Sequence, residues 1–103
     1  MGRKRPERTA RRARERDARQ LVRDREKLAK LSVGGSPERP IEVGSVAVIE
    51  GRARAMACPQ CEGTYRVADH RAPKSGLRVL DVTCQVCGVS RELWFRLVSN
   101  EPN

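Results

Sequence analysis

Four cysteines, arranged as two Cys-x-x-Cys pairs, constrain this 103-residue chain more than any other feature. The pairs are Cys58-Pro59-Gln60-Cys61 and Cys84-Gln85-Val86-Cys87, and 22 residues separate them. Two thiolates that are two residues apart can bind one metal ion from a single tight loop, and two such loops supply the four sulfurs that tetrahedral zinc prefers. The spacing therefore predicts a structural Zn²⁺ site whose ligands are Cys58, Cys61, Cys84 and Cys87. Since this ligand set leaves no position for a substrate or an activated water, we expect no enzymatic activity.

The composition of the chain gives such an ion a role in folding. Only three residues are aromatic, Tyr65, Trp94 and Phe95, so a large self-sufficient hydrophobic core is excluded. Small domains with so few apolar residues need a further source of stability, such as a disulfide or a metal ion. Structural zinc binds with a free energy on the order of 10 kcal/mol. We therefore expect metal binding to hold the C-terminal part of the chain together.

Other uses of the four cysteines remain open at this point. Two disulfides would need an oxidising compartment, and no secretory segment is visible. A redox dithiol is typical of a strand–helix context, whereas Cys58 lies between segments of β-type composition. A four-sulfur site also suits iron, although so few aromatic residues disfavour the shielded apolar pocket of a rubredoxin-like site. Zinc is favoured over these three alternatives.

The residues around both pairs have the composition of β-strands, bounded by Gly, Pro and Asn. The flanking segments are 52–57 and 64–68 around the first pair, and 77–83 and 89–98 around the second. In the last segment, Leu93, Phe95 and Leu97 share one face by simple alternation. Pairs and flanks together predict two hairpin-like arms that a metal ion pins at their tight ends.

Residues Cys58–Gly63 and Cys84–Gly88 resemble the paired knuckles of the zinc-ribbon family, and the resemblance covers roughly residues 53–98. It implies a small metal-stapled β fold, a zinc ribbon of two β-hairpin arms with knuckles, here preceded by a basic N-terminal α-helix. One departure is Glu62, which stands where a glycine often follows the second cysteine. We therefore expect Gly63 to supply the positive φ of the first knuckle, as Gly88 would in the second. The motif is specific for a structural metal and says little about function.

Positive charge is concentrated at the N-terminus. Residues 1–31 hold 13 Lys and Arg against 5 Asp and Glu, a net charge of +8 out of +9 for the whole chain. No glycine or proline interrupts residues 7–31, where good helix formers dominate. Acid-before-base pairs four residues apart favour the helix, and Arg–Arg pairs at the same spacing oppose it. The pattern predicts a marginal Arg-rich helical arm over residues 1–31, stopped by Gly34-Gly35.

The remainder divides into a linker (32–52), a zinc-ribbon domain (53–98) and a disordered C-terminal tail (99–103). Within the linker, Ile41–Val43 and Val46–Ile49 are β-prone. They form either a flexible tether or extra strands at the edge of the later sheet, and their β-branched residues favour the second interpretation. His70 is expected to be a surface residue of a mildly basic loop over residues 70–76 that joins the two halves, and not a metal ligand.

A basic arm beside a zinc ribbon is the electrostatic footprint of a nucleic-acid-binding protein. We predict a non-enzymatic accessory protein that binds DNA or RNA. The alternative is a protein–protein interaction or adapter module with an acidic partner, because five acids are interleaved in the arm. The candidate nucleic-acid contacts are Arg8, Arg11, Arg12, Arg16, Arg19, Arg71, Lys74 and Trp94. For Trp94, cover by residues 46–49 or by the arm competes with base stacking and is favoured.

Neither a membrane nor a small-molecule substrate is expected as a partner. The longest apolar run is Val46–Ile49, whereas a helix that crosses a bilayer needs about 20 apolar residues. The sequence predicts a cytoplasmic protein.

Overall fold

The computed structural model describes the backbone of residues 4–98 and the side chains of residues 7–98. Its elements are α1 (Lys4–Leu31), β1 (Ile41–Val43), a 3-10 turn (Val46–Val48), α2 (Ile49–Ala55), β2 (Tyr65–Lys74), β3 (Leu77–Cys84) and β4 (Ser90–Leu97). Among these residues, no helix combines the length and the apolar character that a membrane span requires. The predicted disordered tail, residues 99–103, lies outside the described residues.

The four strands form one sheet in the order β1-β4-β3-β2. Strands β2, β3 and β4 are antiparallel neighbours along the chain, and β1 adds to the free edge of β4 in parallel. The register places Ile41 opposite Phe95 and Val43 opposite Leu97. The prediction that Ile41–Val43 pairs with the edge of the sheet is therefore confirmed. The β-branched run Val46–Ile49 forms a 3-10 turn and the start of α2, so its assignment as a strand is wrong.

A helix, and not a strand, leads into the first cysteine pair. Ile49 and Ala53, four residues apart, are the buried residues of α2, and both are completely covered. Glu50 and Arg54 form an ion pair at the same spacing, with 3.5 Å between nitrogen and oxygen. The apparent alternation of small and long residues over 52–57 is one face of a helix, which has a period of 3.6 residues. The predicted strand there is wrong, and the first knuckle has no hairpin of its own because β2 pairs with β3.

The core lies on one face of the sheet, under α2 and the first cysteine loop. Leu93 and Phe95 are buried there and Leu97 packs against them, which confirms the predicted alternation of β4. Trp94 is half-buried on the opposite face, directly across from Val79 of β3, which is completely covered.

His70 lies within β2 rather than in a loop, so the predicted loop over residues 70–76 is wrong. The turn of the hairpin is shorter, and β-bulges accommodate irregular pairing on either side of His70. Its Nδ1 atom lies 3.5 Å from a carboxylate oxygen of Glu50 on α2. The strand continues because its backbone pairs with β3, a contact that local composition does not encode.

The predicted N-terminal helix is present as α1 and ends three residues before Gly34. The carbonyl of Gly34 accepts a hydrogen bond of 2.8 Å from the amide of Trp94, and the Arg39 guanidinium donates to the carbonyl of Leu31. The first contact joins the segment after α1 to β4, and the second holds the loop before β1 against the C-terminal end of the helix.

Candidate metal centre

The four cysteines meet at one end of the sheet. Cys58 and Cys61 lie in the loop between α2 and β2, and Cys84 and Cys87 lie where β3 turns into β4. Their sulfur atoms all lie within 4.8 Å of one another, with 3.8 Å between Cys58 and Cys87 and 3.4 Å between Cys61 and Cys84. A tetrahedral ion with metal–sulfur bonds of about 2.3 Å places its sulfurs about 3.8 Å apart. The donor set and its spacing therefore fit a four-thiolate metal site.

The two cysteine loops share one backbone hydrogen-bonding pattern. In each, the amide of the first cysteine donates to the carbonyl five residues later, and the amide four residues later donates back to that cysteine's carbonyl. Glu62 and Gly88 occupy the equivalent position, with φ of 63° and 78°. The expectation that Gly63 supplies the positive φ of the first loop is wrong, because Glu62 itself adopts it.

Gly63 is required for a different reason, which is close approach of the second loop. A Cβ atom at Gly63 would lie 2.6 Å and 2.8 Å from two side-chain carbons of Val86, and 3.0 Å from the sulfur of Cys84. Carbon atoms do not approach so closely, so a larger residue would push the two loops apart. This constraint joins residues 21 or more positions apart and leaves no local signal in the sequence.

Backbone amides supply part of the charge compensation that a four-thiolate site needs. The amides of Val86 and Cys87 donate to the sulfur of Cys84 at 3.4 Å and 3.5 Å, and the amide of Gly63 donates to Cys61 at 3.4 Å. The bonds to Cys84 lower the pKa of its thiol to about 6. Donors of this kind offset the net charge of −2 that four thiolates leave around a divalent ion.

The pKa of the neighbouring Cys61 thiol shifts in the opposite direction. The Gly63 amide favours the thiolate of Cys61, but the adjacent Cys84 sulfur opposes a second negative charge, and the pKa of Cys61 rises to about 12. A thiolate is thus favoured at Cys84 at neutral pH, whereas Cys61 would lose its proton only on binding a metal ion.

Arg91 of β4 is a further residue of the site. Its Nη1 atom lies 3.6 Å from the sulfur of Cys58 and donates to the hydroxyl of Tyr65, while its Nε and Nη2 atoms donate to the carboxylate of Glu26 on α1. Burial raises the pKa of Cys58, but amides of the loop and the Arg91 guanidinium outweigh it, and the net shift of the pKa is downward. Sequence reasoning did not identify Arg91 or Glu26, since 65 positions separate them.

The first loop is also the docking point of α1. The side-chain amide of Gln60 donates to the carbonyl of Val22 at 2.8 Å and to the carboxylate of Glu26 at 2.6 Å. In return, the Arg25 guanidinium donates to the Gln60 carbonyl at 3.2 Å. Gln60 is one of the two residues between Cys58 and Cys61, so the loop that carries two of the four clustered cysteines also holds the helix.

A cavity of about 440 Å³ lies beside these polar contacts, between the C-terminal turns of α1 and the sheet. Its apolar lining includes Leu28, Val33, Met56 and Leu93. The contact between α1 and the body of the protein is therefore incompletely packed, and polar groups carry much of it.

The predicted nucleic-acid contacts lie on three separate elements. Arg8, Arg11, Arg12, Arg16 and Arg19 are all exposed on α1, Arg71 and Lys74 are exposed on β2, and Trp94 is half-buried on β4. The guanidinium of Arg71 forms two hydrogen bonds with Asp81, at 2.8 Å and 2.9 Å, and one with Glu92 at 2.7 Å. Because two carboxylates already engage Arg71, Lys74 is the more available cation of this hairpin.

Comparison of the chain with protein-family models, with curated proteins and with solved structures found no match. The structure itself defines a small protein with an N-terminal helix, a four-stranded sheet and a cluster of four cysteines that could hold a metal ion.

Proposed function

We propose that this chain is a non-enzymatic zinc-binding accessory protein of the zinc-ribbon type that binds nucleic acid through its Arg-rich helix. Zinc is the ion that best suits four thiolates in tetrahedral arrangement without an open coordination position. The amide donors around Cys61 and Cys84 and the guanidinium beside Cys58 support a permanent structural ion.

The metal assignment is tested by elemental analysis of the purified full chain. We expect one zinc per chain, and a cobalt-substituted sample with the absorption of tetrahedral Co²⁺–thiolate. Cys61→Ser and Cys87→Ser should lower the metal content, whereas an exposed serine such as Ser75 can be changed to alanine without effect. A brown sample that contains iron, or a metal-free chain that folds normally, would contradict the assignment.

One observation carries the nucleic-acid proposal, namely a stripe of exposed arginines along α1. Arg8, Arg12, Arg16, Arg19 and Arg23 follow one another at spacings of three or four residues, so they lie within an arc of about 80° on the helix. Every charged side chain of residues 7–20 is exposed, and Glu15 pairs with one arginine of the stripe, Arg19. A continuous line of guanidinium groups matches the repeated charges of a phosphate backbone.

The stripe also explains why a polyanion would stabilise the arm. Arginines four residues apart repel each other and destabilise an isolated helix by about 0.2–0.5 kcal/mol for each pair. Phosphate groups of a bound nucleic acid would neutralise these guanidinium charges. The repulsion between neighbouring arginines would then no longer oppose the helix. We expect the helical signal in circular dichroism to increase when nucleic acid is added.

The test is the salt dependence of binding to a fluorescent 20-nucleotide strand and to its duplex. With about six phosphates neutralised, log affinity should fall with log salt at a slope of about −4 for the single strand and about −5 for the duplex. Replacement of Arg8, Arg12 and Arg16 by glutamine should reduce each slope by about 2 to 3. The matched control replaces three exposed arginines outside α1, Arg52, Arg66 and Arg96. An affinity that does not change with salt concentration would overturn the proposal. So would an equal reduction of the slope in the control variant.

A protein-binding role is the second candidate, and the exposed apolar residues at the end of α1 favour it. Leu28, Leu31 and Val33 are each 64–65% exposed, and Leu28 and Val33 line the cavity under the helix. Exposed apolar clusters of this kind mark interaction surfaces. Recovery of one acidic protein with the full chain after nuclease treatment would support the adapter role over the nucleic-acid role.

A further inference from the structure

We propose that Arg91 is a positioning residue that couples the metal site to the arm, so that α1 docks on the body only when the four cysteines share an ion. This inference rests on the metal binding proposed above and is independent of nucleic-acid binding. Its basis is one connected set of contacts that runs from a metal-ligating sulfur to the middle of α1.

The two ends of the Arg91 guanidinium face different parts of the molecule. One nitrogen reaches the sulfur of Cys58, and the others hold Glu26 of α1. The side chain is only 9% exposed, and Tyr65, which accepts a hydrogen bond from it, is 2% exposed. A guanidinium in such a covered position binds charged partners in fixed geometry, since its planar donors point in defined directions.

Gln60 provides a second and separate connection. It lies between Cys58 and Cys61, so its position depends on both cysteines being directed at one centre. Its side chain and its carbonyl contact Val22, Glu26 and Arg25 of α1. When the sulfurs lose their common ion, the loop is free to change shape, and the acceptors and donors that hold α1 move with it.

Few apolar contacts would hold α1 in place once these polar contacts are lost. Leu21 and Val22 are 48% and 49% exposed, and Leu28 is 64% exposed. The cavity beneath the helix further reduces apolar burial at this contact. The carboxylate of Glu26 is thus the main anchor, because it accepts hydrogen bonds from both Arg91 and Gln60.

The coupling must act in both directions, because two linked equilibria shift each other by the same factor. If metal loading favours docking of α1, then a variant that cannot dock will bind the metal more weakly. Residues that orient metal ligands commonly change metal affinity by about 10–100-fold when they are replaced. We therefore expect Arg91→Lys and Glu26→Gln each to lower the affinity for Zn²⁺ by about tenfold.

The experiment compares full-length wild type, Glu26→Gln and Glu15→Gln. The last variant is the matched control, because Glu15 has the same charge on the same helix and, among the side chains of residues 7–98, forms its ion pair with Arg19 and not with the body of the protein. Hydrogen exchange of the amides in residues 21–31 reports docking, a chelator competition reports Zn²⁺ affinity, and Co²⁺ absorption reports whether the site is loaded. The resonance of the Arg91 Nε–H group gives a direct signature of its contact with Glu26.

In wild type and Glu15→Gln, we expect protection of residues 21–31 that disappears when the metal is removed. In metal-loaded Glu26→Gln, that protection should be absent while β2, β3 and β4 stay protected. Equal protection of residues 21–31 with and without metal, or identical behaviour of Glu26→Gln and Glu15→Gln, would refute the coupling. Neither result would contradict the proposed metal binding. A chain that gives no Co²⁺–thiolate absorption would refute the coupling and the proposed metal function together.

Discussion

The two cysteine loops have the same backbone hydrogen bonds but different neighbours. The first loop places Gln60 against α1 and contains Glu62 in a left-handed conformation. The second loop has Gly88 at the equivalent position, and its Val86 is 71% exposed. Among the side chains of residues 7–98, no hydrogen bond joins the second loop to α1. The same cysteine-bearing turn thus occurs twice, and only the first copy also attaches a helix.

Removal of the metal should have the largest effect, because it affects both loops at once. The small core cannot replace a binding free energy of about 10 kcal/mol. We expect a strong chelator to abolish the cooperative thermal transition, measured by circular dichroism, and added Zn²⁺ but not Mg²⁺ to restore it. An unchanged melting temperature in chelator would show that neither loop depends on an ion.

Replacement of Gly63 and of Gly88 by alanine should have different effects on stability and on Zn²⁺ affinity. Gly63→Ala introduces a Cβ that overlaps Val86, and overpacking of this kind typically costs about 1–3 kcal/mol. A Cβ atom at Gly88 would have no neighbour within 4 Å. Gly88→Ala therefore destabilises the fold only through the left-handed backbone conformation at this position, by about 1–2 kcal/mol. Because the overlap includes the Cys84 sulfur, Gly63→Ala should also weaken Zn²⁺ binding, which Gly88→Ala should not. Chemical denaturation and chelator competition measure the two effects, and equal Zn²⁺ affinities would contradict the difference in packing.

Replacement of Gln60 should separate the two roles of the first loop. Gln60→Ala removes two hydrogen bonds to α1, each with a typical net value of about 0.5–1.5 kcal/mol. We expect faster hydrogen exchange in residues 21–31 with little change in the sheet. The control is Gln85→Ala in the second loop, whose side chain contacts Tyr65 and not α1. A similar increase from both variants would show that the first loop has no special attachment role.

The smallest expected change is a gain in stability from Glu62→Gly. Glycine adopts a positive φ without the penalty of a side chain, but it has more freedom in the unfolded chain. The net gain should be about 0.5–1 kcal/mol and should make the first loop equivalent to the second. Glu62→Ala serves as the control because it removes the charge and keeps the side-chain penalty. If both variants gain equally, charge and not backbone conformation distinguishes the loops.

Local patterns in the sequence predicted the parts of the fold that depend on short-range geometry. The Cys-x-x-Cys spacing indicated that Cys58, Cys61, Cys84 and Cys87 converge, and the lack of glycine and proline over residues 7–31 indicated the helix that α1 forms there. The β-branched residues of β1 indicated a strand. The same composition rule failed at residues 46–55, since a short run of small and apolar residues does not distinguish a helix from a strand.

The arrangement of the cysteines and the charge of the arm follow from the sequence by itself, because both depend on residue type and on spacing along a few turns of chain. Only the tertiary structure decided that Arg91 reaches both Cys58 and Glu26, and that Gln60 contacts α1. These contacts join residues 33 to 65 positions apart. Their physical cause is the packing of the whole sheet, the loop and the helix together, which no short segment contains.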